Sequence, residues 1–359
     1  MEVFVNASSM IPIDRYYEYD IYDLVIEAYK NLEGEFDIDI KNIGLIVVAN
    51  AYSQRMNNVS LIAPKIAERI GMPHIPTLRV ENADASGASA LFTAVSMIKS
   101  GIVKSVLVIG VEKQSDYPSK YLNEALSSIL NEYEYYNGVT PHSLAALLMR
   151  QYMKKYNVDK EYFANWAIKM HQNATENPFA YLRFSVDLNT VINSQIISDP
   201  LRLFDIGARA DGASILLLSN KKDDNSAKIE KIAVTQAKYD FSPSLPSIRL
   251  LRNQLEIKRD NVALDIHDSY SIIAAMILEE LGIFEAGKSL YNLGDLPINL
   301  SGGLKARGYP GGASAIYQVA EAHMQILGKF KGKKVNVDNY LVVSSDDLGM
   351  ISYGFKLSR

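Results

Sequence analysis

Two stretches of this 359-residue chain are written as helices apolar nearly all the way round, and a helix of that kind has to be buried. The first, from about Gly87 to Ser100, carries Leu91, Phe92, Val95, Met97 and Ile98. The second, from about Gly312 to Leu327, carries Ile316, Val319, Ala320, Met324, Ile326 and Leu327. Both open on the same residues, Gly87-Ala88-Ser89-Ala90 and Gly312-Ala313-Ser314-Ala315, and both lead toward an apolar strand. A shared loop–helix–strand plan marks two related halves. Two sheets sandwiching a central helical layer would bury both helices.

The flanking pattern supplies those sheets. IGLIVVAN (Ile43–Asn50) and SVLVIGV (Ser105–Val111) are continuous apolar runs, as expected of strands covered on both faces. A further helical pattern near Leu61–Ile70 completes a βαβ rhythm, which places the chain in the α/β class. Residues 112–205 lose that rhythm. They carry helical patterns rich in Tyr, Asn and Met, broken at Pro118, Pro141, Pro178 and Pro200, and read as an insertion. Strand signals resume at SILLLS (Ser214–Ser219) and recur at Ile229–Tyr239, Asn261–Ile266, Tyr340–Ser345 and Ile351–Leu357, with a helix near Ser269–Leu281. The expected division is an N-terminal half of residues 1–111 and 206–222, an inserted loop domain of 112–205, and a C-terminal half of 223–359.

Composition removes several classes of function. The chain has no cysteine, which excludes disulfides, thiolate metal sites and every cysteine nucleophile. His74, His142, His171, His267 and His323 have no zinc-ligand spacing, so no metal site is expected. A net charge of −4 advertises no face for nucleic acid. MEVFVNASSM does not read as a secretion signal, and no stretch approaches the roughly 20 apolar residues of a membrane span. The glycines form neither a P-loop nor a dinucleotide fingerprint, and no bound cofactor is expected. A cytoplasmic protein that avoids the membrane is the resulting expectation.

If the halves are superposed, Asp84 and Tyr309 are equivalent, each three residues before the repeated motif. Both then stand on a turn entering a buried helix, where free N–H groups and the helix dipole favour negative charge. Such a place suits a reactive thiolate, an oxyanion or a bound acyl group. It equally suits a capping aspartate worth about 1 kcal/mol, and spacing alone favours the cap.

The segments around these positions resemble those of thiolases. VENADASGASAL (Val80–Leu91) resembles the thiolase nucleophile segment, typically ENACASGASAL, and SGGLKARGYPGGASA (Ser301–Ala315) resembles the segment around GHP. HDSY (His267–Tyr270) is similar to the HDCF motif of the sterol-carrier-protein-type branch common in archaea. HQNATENPFA (His171–Ala180), SDPLRLFD (Ser198–Asp205) and ADGASILLL (Ala210–Leu218) resemble further segments of that branch, in family order. The resemblance implies the thiolase fold: two related βαβαβ halves in a five-layer α-β-α-β-α sandwich with an inserted loop domain. It also implies a homodimer, coenzyme A or acyl-CoA as ligand, and an OB-fold/zinc-ribbon or synthase partner protein.

Against that family pattern, Asp84 stands at the nucleophilic cysteine, Tyr309 at the GHP histidine and Ser269 at the HDCF cysteine. His267 keeps its place, which the resemblance assigns to an oxyanion hole. His267, Gly308, Gly311, Ser301 and Gly302 are the implied acyl-CoA-binding candidates. A carboxylate attacking a thioester would give a mixed anhydride, higher in energy than the thioester it replaces. A tyrosine hydroxyl with a reference pKa of about 10 is a poor base at neutral pH. The expectation is a thiolase-like protein without thiolase activity that binds acyl-CoA or serves as a partner subunit. The alternatives are a cysteine-free acyl-CoA enzyme (decarboxylation, hydrolysis or non-covalent condensation) and a purely structural module.

Overall fold

The computed structural model describes residues 1–36, 40–239, 241–257 and 262–359. Its strands are β1 (Phe4–Met10), β2 (Leu45–Ala49), β3 (Thr77–Val80), β4 (Ser105–Glu112), β5 (Ile196–Ser198), β6 (Leu201–Arg202), β7 (Gly212–Ser219), β8 (Ala227–Gln236), β9 (Val262–Ile266), β10 (Asn339–Ser345) and β11 (Ile351–Ser358). Of the strand expected at Asn261–Ile266, Asn261 lies outside the described residues.

Strand periodicity sorts the side chains into layers. On β2, Val47 and Ala49 point to a central core, while Ile46 and Val48 point to an outer one. On β10, Tyr340 and Val342 face the same centre, and Leu341 and Val343 face a second outer core. Helices Ile21–Glu35 and Ile62–Arg69 cover the first outer face; Pro246–Leu255 and Ser271–Glu280 cover the second. Helices Ser86–Lys99 and Ser314–Ile326 fill the centre. The result is the α-β-α-β-α order of a thiolase fold.

Two expectations need correction. The sheets are not separate: the order β3-β2-β4-β7-β1-β8-β11-β10-β9 is one nine-stranded sheet. β1 pairs with β7 along its length, but its first residues, Phe4 and Val5, also reach Lys228 and Ala227 of β8. That short ladder joins the halves as the sheet passes around the central helices. The central helices are also not equally enclosed. Every residue of Ser314–Ile326 is buried, whereas Phe92 is 42% exposed, on a stripe with Ser96 and Lys99.

Sequence reasoning passed over β1, β3 and the helices Ile21–Glu35 and Pro246–Leu255. β1 is disguised by interior polar residues that all find partners. Asn6 donates to the Lys221 carbonyl (2.8 Å), Ser8 pairs with His323 Nδ1 (2.7 Å), and Ser9 donates to the Ala28 carbonyl (2.7 Å). Residues 112–205 form helices that include Pro141–Tyr156 and Lys160–Ala174. Their Tyr152, Tyr162, Phe163 and Trp166 join the core beneath Ser271–Glu280. None of the described helices is long and apolar enough to cross a membrane.

The repeated motif marks the contact between the central helices. A β-carbon on Gly87 would stand 2.8 Å from the Gly312 carbonyl oxygen, and one on Gly312 would stand 3.0 Å from Ser86 Cβ. Neither glycine needs a positive φ; both are needed for space. Gly87→Val should therefore destabilise the protein by about 1–3 kcal/mol through overpacking. Denaturant unfolding measures this, and an unchanged midpoint would contradict the contact.

Candidate functional site

β9 and β10 run parallel, as do β2 and β4, so the segments leaving their carboxyl ends gather where α/β folds place their sites. His267 follows β9, Asp347 lies just past β10, Tyr52 lies just past β2, and Glu112 ends β4. Into this cluster come Asp84, from the elbow before the first central helix, and Tyr309, from the loop before the second. Ala83 takes φ 47° at the elbow, a left-handed conformation costly for a residue with a β-carbon. Ala85 and Ser86 donate backbone hydrogen bonds to the Asn82 and Ala83 carbonyls and close the turn.

Asp84 does not cap its helix: the N-cap position is Ala85, and it makes no side-chain cap bond. The carboxylate instead meets Arg209 with both oxygens, Nη1 to Oδ1 at 3.1 Å and Nη2 to Oδ2 at 3.0 Å. Tyr52 donates its hydroxyl to Oδ2 at 3.0 Å. Asp84 is 1% exposed. A buried anion has to be paired, and a guanidinium matches both oxygens of a carboxylate at once.

Arg209 also reaches Asp347 Oδ2 (3.2 Å) and Gln114 Oε1 (3.3 Å), and its guanidinium lies 4.0 Å from the centre of the Tyr309 ring. Asp347 Oδ1 accepts the Tyr309 hydroxyl at 2.7 Å and lies 3.0 Å from His267 Nε2. With its proton on Nε2, His267 donates to that carboxylate. Its Nδ1 is then an acceptor, and it has no partner. Tyr309 and Asp84 are thus joined through Arg209 and Asp347.

Burial alone would lower the Arg209 pKa, but the charges of Asp84 and Asp347, with the Tyr309 and Tyr52 hydroxyls, hold it well above its ordinary value. Burial alone would raise Asp347, yet hydrogen bonds from His267 and Tyr309 and the Arg209 charge keep it below the ordinary carboxylate range. Tyr309 is driven well upward by burial, then by Asp347 and Asp84, so it stays a protonated donor. Burial pushes Glu112 up to about 8 despite backbone hydrogen bonds from Ala51 and Tyr52. Burial and the Arg209 charge push His142 down to about 4, leaving it neutral beside the Tyr270 hydroxyl (3.0 Å).

The other sequence candidates are placed less centrally. Ser269 is buried with no hydroxyl partner, and it lies beyond the end of β9, not on a strand. Its segment is fixed by Asp268, which accepts from Trp166 Nε1 (2.9 Å), Asn299 Nδ2 (2.9 Å) and the Leu304 amide (2.7 Å). Ser301 and Gly302 pack beneath helix Lys160–Ala174 and its following turn, and Gly308 sits against Ile13 and Tyr181. Only Gly311 among these comes next to Asp84, where an added β-carbon would stand 3.5 Å from Oδ1. A cavity of about 700 Å³ opens outside the cluster, lined in part by Tyr52, Arg55, Arg79, Asn82, Ala83 and Asp346. Neither Asp84 nor any glycine candidate lines it. Among the described residues no group of three or more His, Asp or Glu is placed to hold a metal ion.

Arg209, Asp347, Tyr52 and Gln114 were not anticipated from sequence. One sequence signal bears on Asp347, since Asp346-Asp347 is an acidic pair wedged between two apolar strands, but no signal locates the cation that a buried Asp84 requires.

The scaffold that carries this arrangement is that of a known family. Residues 3–188 match the thiolase N-terminal domain family and residues 254–352 the thiolase C-terminal domain-like family. The chain belongs to the thiolase family. It is 33% identical to the acetyl-CoA acetyltransferase of Methanocaldococcus jannaschii over 356 residues, covering 90% of each chain. It is 29% identical to that of Methanothermobacter thermautotrophicus over 357 residues, covering 93% of each. The fold matches the Ltp2-ChsH2(DUF35) aldolase with a TM-score of 0.83 at 20% identity, covering 99% of this chain and 97% of that one. Human mitochondrial 3-ketoacyl-CoA thiolase matches with a TM-score of 0.79 at 14% identity, covering 99% and 98%.

Arg209→Met would leave Asp84 and Asp347 as buried carboxylates without their shared cation. It should cost about 3–5 kcal/mol of stability, and Asp84→Asn should cost less. Equal, small losses in a denaturation series would show that the ion pairs do not organise the site.

Proposed function

We propose that this thiolase-family protein no longer performs covalent acyl transfer and serves as an acyl-CoA-binding partner subunit of an acyl-CoA-handling assembly. The observation that carries the reading is the state of Asp84. Both its oxygens are committed to Arg209, a third donor comes from Tyr52, and it is shut from solvent. A thiolase needs a nucleophile free to leave its partners and bond to a carbonyl carbon. A cysteine at a helix start meets that need because its thiolate is both populated and reactive. Asp84 is neither free nor sufficiently nucleophilic, and Tyr309, kept protonated, cannot take the place of the histidine base. The neighbouring aldolase structure pairs a thiolase-fold chain with a DUF35 chain, which supports a partner role of this kind.

The unpartnered Nδ1 of His267 favours a second reading. Held by Asp347 through Nε2, the imidazole has one acceptor left for a ligand, as cysteine-free chemistry on a thioester requires. That reading expects acyl-CoA turnover that falls sharply in His267→Ala.

The two are separated by assaying the intact protein with acetoacetyl-CoA and free CoA. The expected result is no thiolysis, no acyl-enzyme by mass spectrometry, and CoA binding by calorimetry. An acyl-enzyme on the native chain would end the first reading. Turnover without an acyl-enzyme would favour the second. No turnover and no CoA binding would leave only a structural module.

The same reading has two copies meeting at the outer edge of the sheet. β3 is the terminal strand, and near it the large apolar side chains Leu78 (38%), Phe92 (42%) and Met350 (38%) are exposed. Sedimentation equilibrium should give a dimer that Leu78→Lys weakens; a monomeric native chain would remove this part of the proposal.

A further inference from the structure

A second buried polar cluster lies in the central layer, and its chemistry is independent of the functional reading above. Asp265 points inward from β9 and is 1% exposed; Glu321 and Gln318 on helix Ser314–Ile326 are each 1% exposed; Arg307 is fully buried. Arg307 Nη1 bonds Glu321 Oε2 at 2.8 Å, and Gln318 Nε2 bonds Asp265 Oδ1 at 3.4 Å. The carboxyl of Glu321 is in hydrogen-bonding contact with the Ser301 hydroxyl and with the carboxyl of Asp265. Yet Asp265 Oδ2 has no conventional donor, although it is out of solvent.

Two acceptor oxygens in contact repel unless a proton lies between them. The charge count leads the same way. Two carboxylates against one guanidinium would leave a net negative charge in a site closed to water, where an uncompensated charge is heavily penalised. One proton removes that charge and gives the orphaned Asp265 oxygen a bond. Among the described residues Arg307 is the cation that acts on both carboxyls. The nearby groups are Asp268 after β9, Ser301 beside the Arg307 loop, Tyr317, whose ring lies 5.4 Å from the guanidinium, and Tyr340 from β10.

We propose that Asp265 and Glu321 hold a single proton between them, and that this proton locks the outermost strand β9 to the buried central helix. Burial and the neighbouring Glu321 raise Asp265 well above the ordinary carboxylate range, and burial raises Glu321.

An unfolded carboxyl has a pKa of about 4, so unfolding at neutral pH releases the proton. Stability from the lock is fully present below the unfolded value. It declines as pH rises and is lost once pH passes the raised folded value. The test is proton release on guanidinium unfolding of the full chain at neutral pH. The wild type should release about one proton more than Asp265→Asn, and likewise more than Glu321→Gln, because either variant leaves one carboxylate paired with Arg307. The melting-temperature gap between wild type and Asp265→Asn should also narrow from about pH 5 to about pH 8. Equal proton release by wild type and variant overturns the proposal. If the asparagine variant does not fold, Glu321→Gln decides by the same comparison. Carboxyl-carbon NMR of the wild type decides without any variant: both residues titrating in the ordinary carboxylate range would overturn the shared proton.

Discussion

The contact between Gly87 and Gly312 is the constraint on which the remaining architecture rests. Two helices can share the middle of a five-layer fold only if their starts approach without side chains between them. Here an added β-carbon on either glycine would meet the other helix at 3.0 Å or less. Once that approach is made, the elbow carrying Asp84 and the loop carrying Tyr309 must converge. The carboxyl ends of β2, β4, β9 and β10 then bring Tyr52, Glu112, His267 and Asp347 to the same place. A repeat of four small residues is in this sense the address of the site.

Convergence of two helix starts raises the local positive potential, and a site so placed selects for negative charge. The chain answers with three carboxyls, treated differently. Asp84 and Asp347 flank Arg209, and Asp347 is held below its ordinary range by His267, Arg209 and Tyr309. Glu112, facing backbone N–H groups with Asp84 nearby and no strong cation in contact, is pushed up by burial and keeps its proton at neutral pH. Burial is common to all three. Arg209 is placed to pair with only two of them, Asp84 and Asp347.

Much of the fold was legible because burial writes itself into long apolar runs. Ile43–Asn50 and Ser105–Val111 could be little other than enclosed strands, and the largely apolar helix 312–327 could be little other than central. β1 was not legible, because Asn6, Ser8 and Ser9 look like loop residues until the partners that absorb their polarity are known. Phe92 misled for the opposite reason: an apolar residue on a helix says nothing about how fully its neighbours cover it, and beside Tyr353 it stays 42% exposed. At the site, Asp84, Tyr309 and His267 could be named from their motifs. Arg209 could not, because it lies 125 residues from Asp84, and the bond exists only through tertiary folding. Reading Asp84 as a cap failed on register, since the helix begins one residue too late for its carboxylate to serve.

On the proposed reading, in which Asp84 stands where the family resemblance places a cysteine, the Arg209 pairing makes the position more than a simple point change. A thiolate presents one sulfur, and the helix start alone can support it. A carboxylate presents two oxygens and a greater cost of burial, and the helix start does not meet either demand. The chain satisfies both with a planar guanidinium, whose two N–H groups match the two oxygens and whose face lies against Tyr309. Replacing Asp84 by cysteine would therefore not restore an open nucleophile. It would remove one of two anions from a cation still held by Asp347 and Tyr309, in a space arranged around Arg209. Aspartate, arginine and tyrosine act as one unit, and the position can be understood only with all three in view.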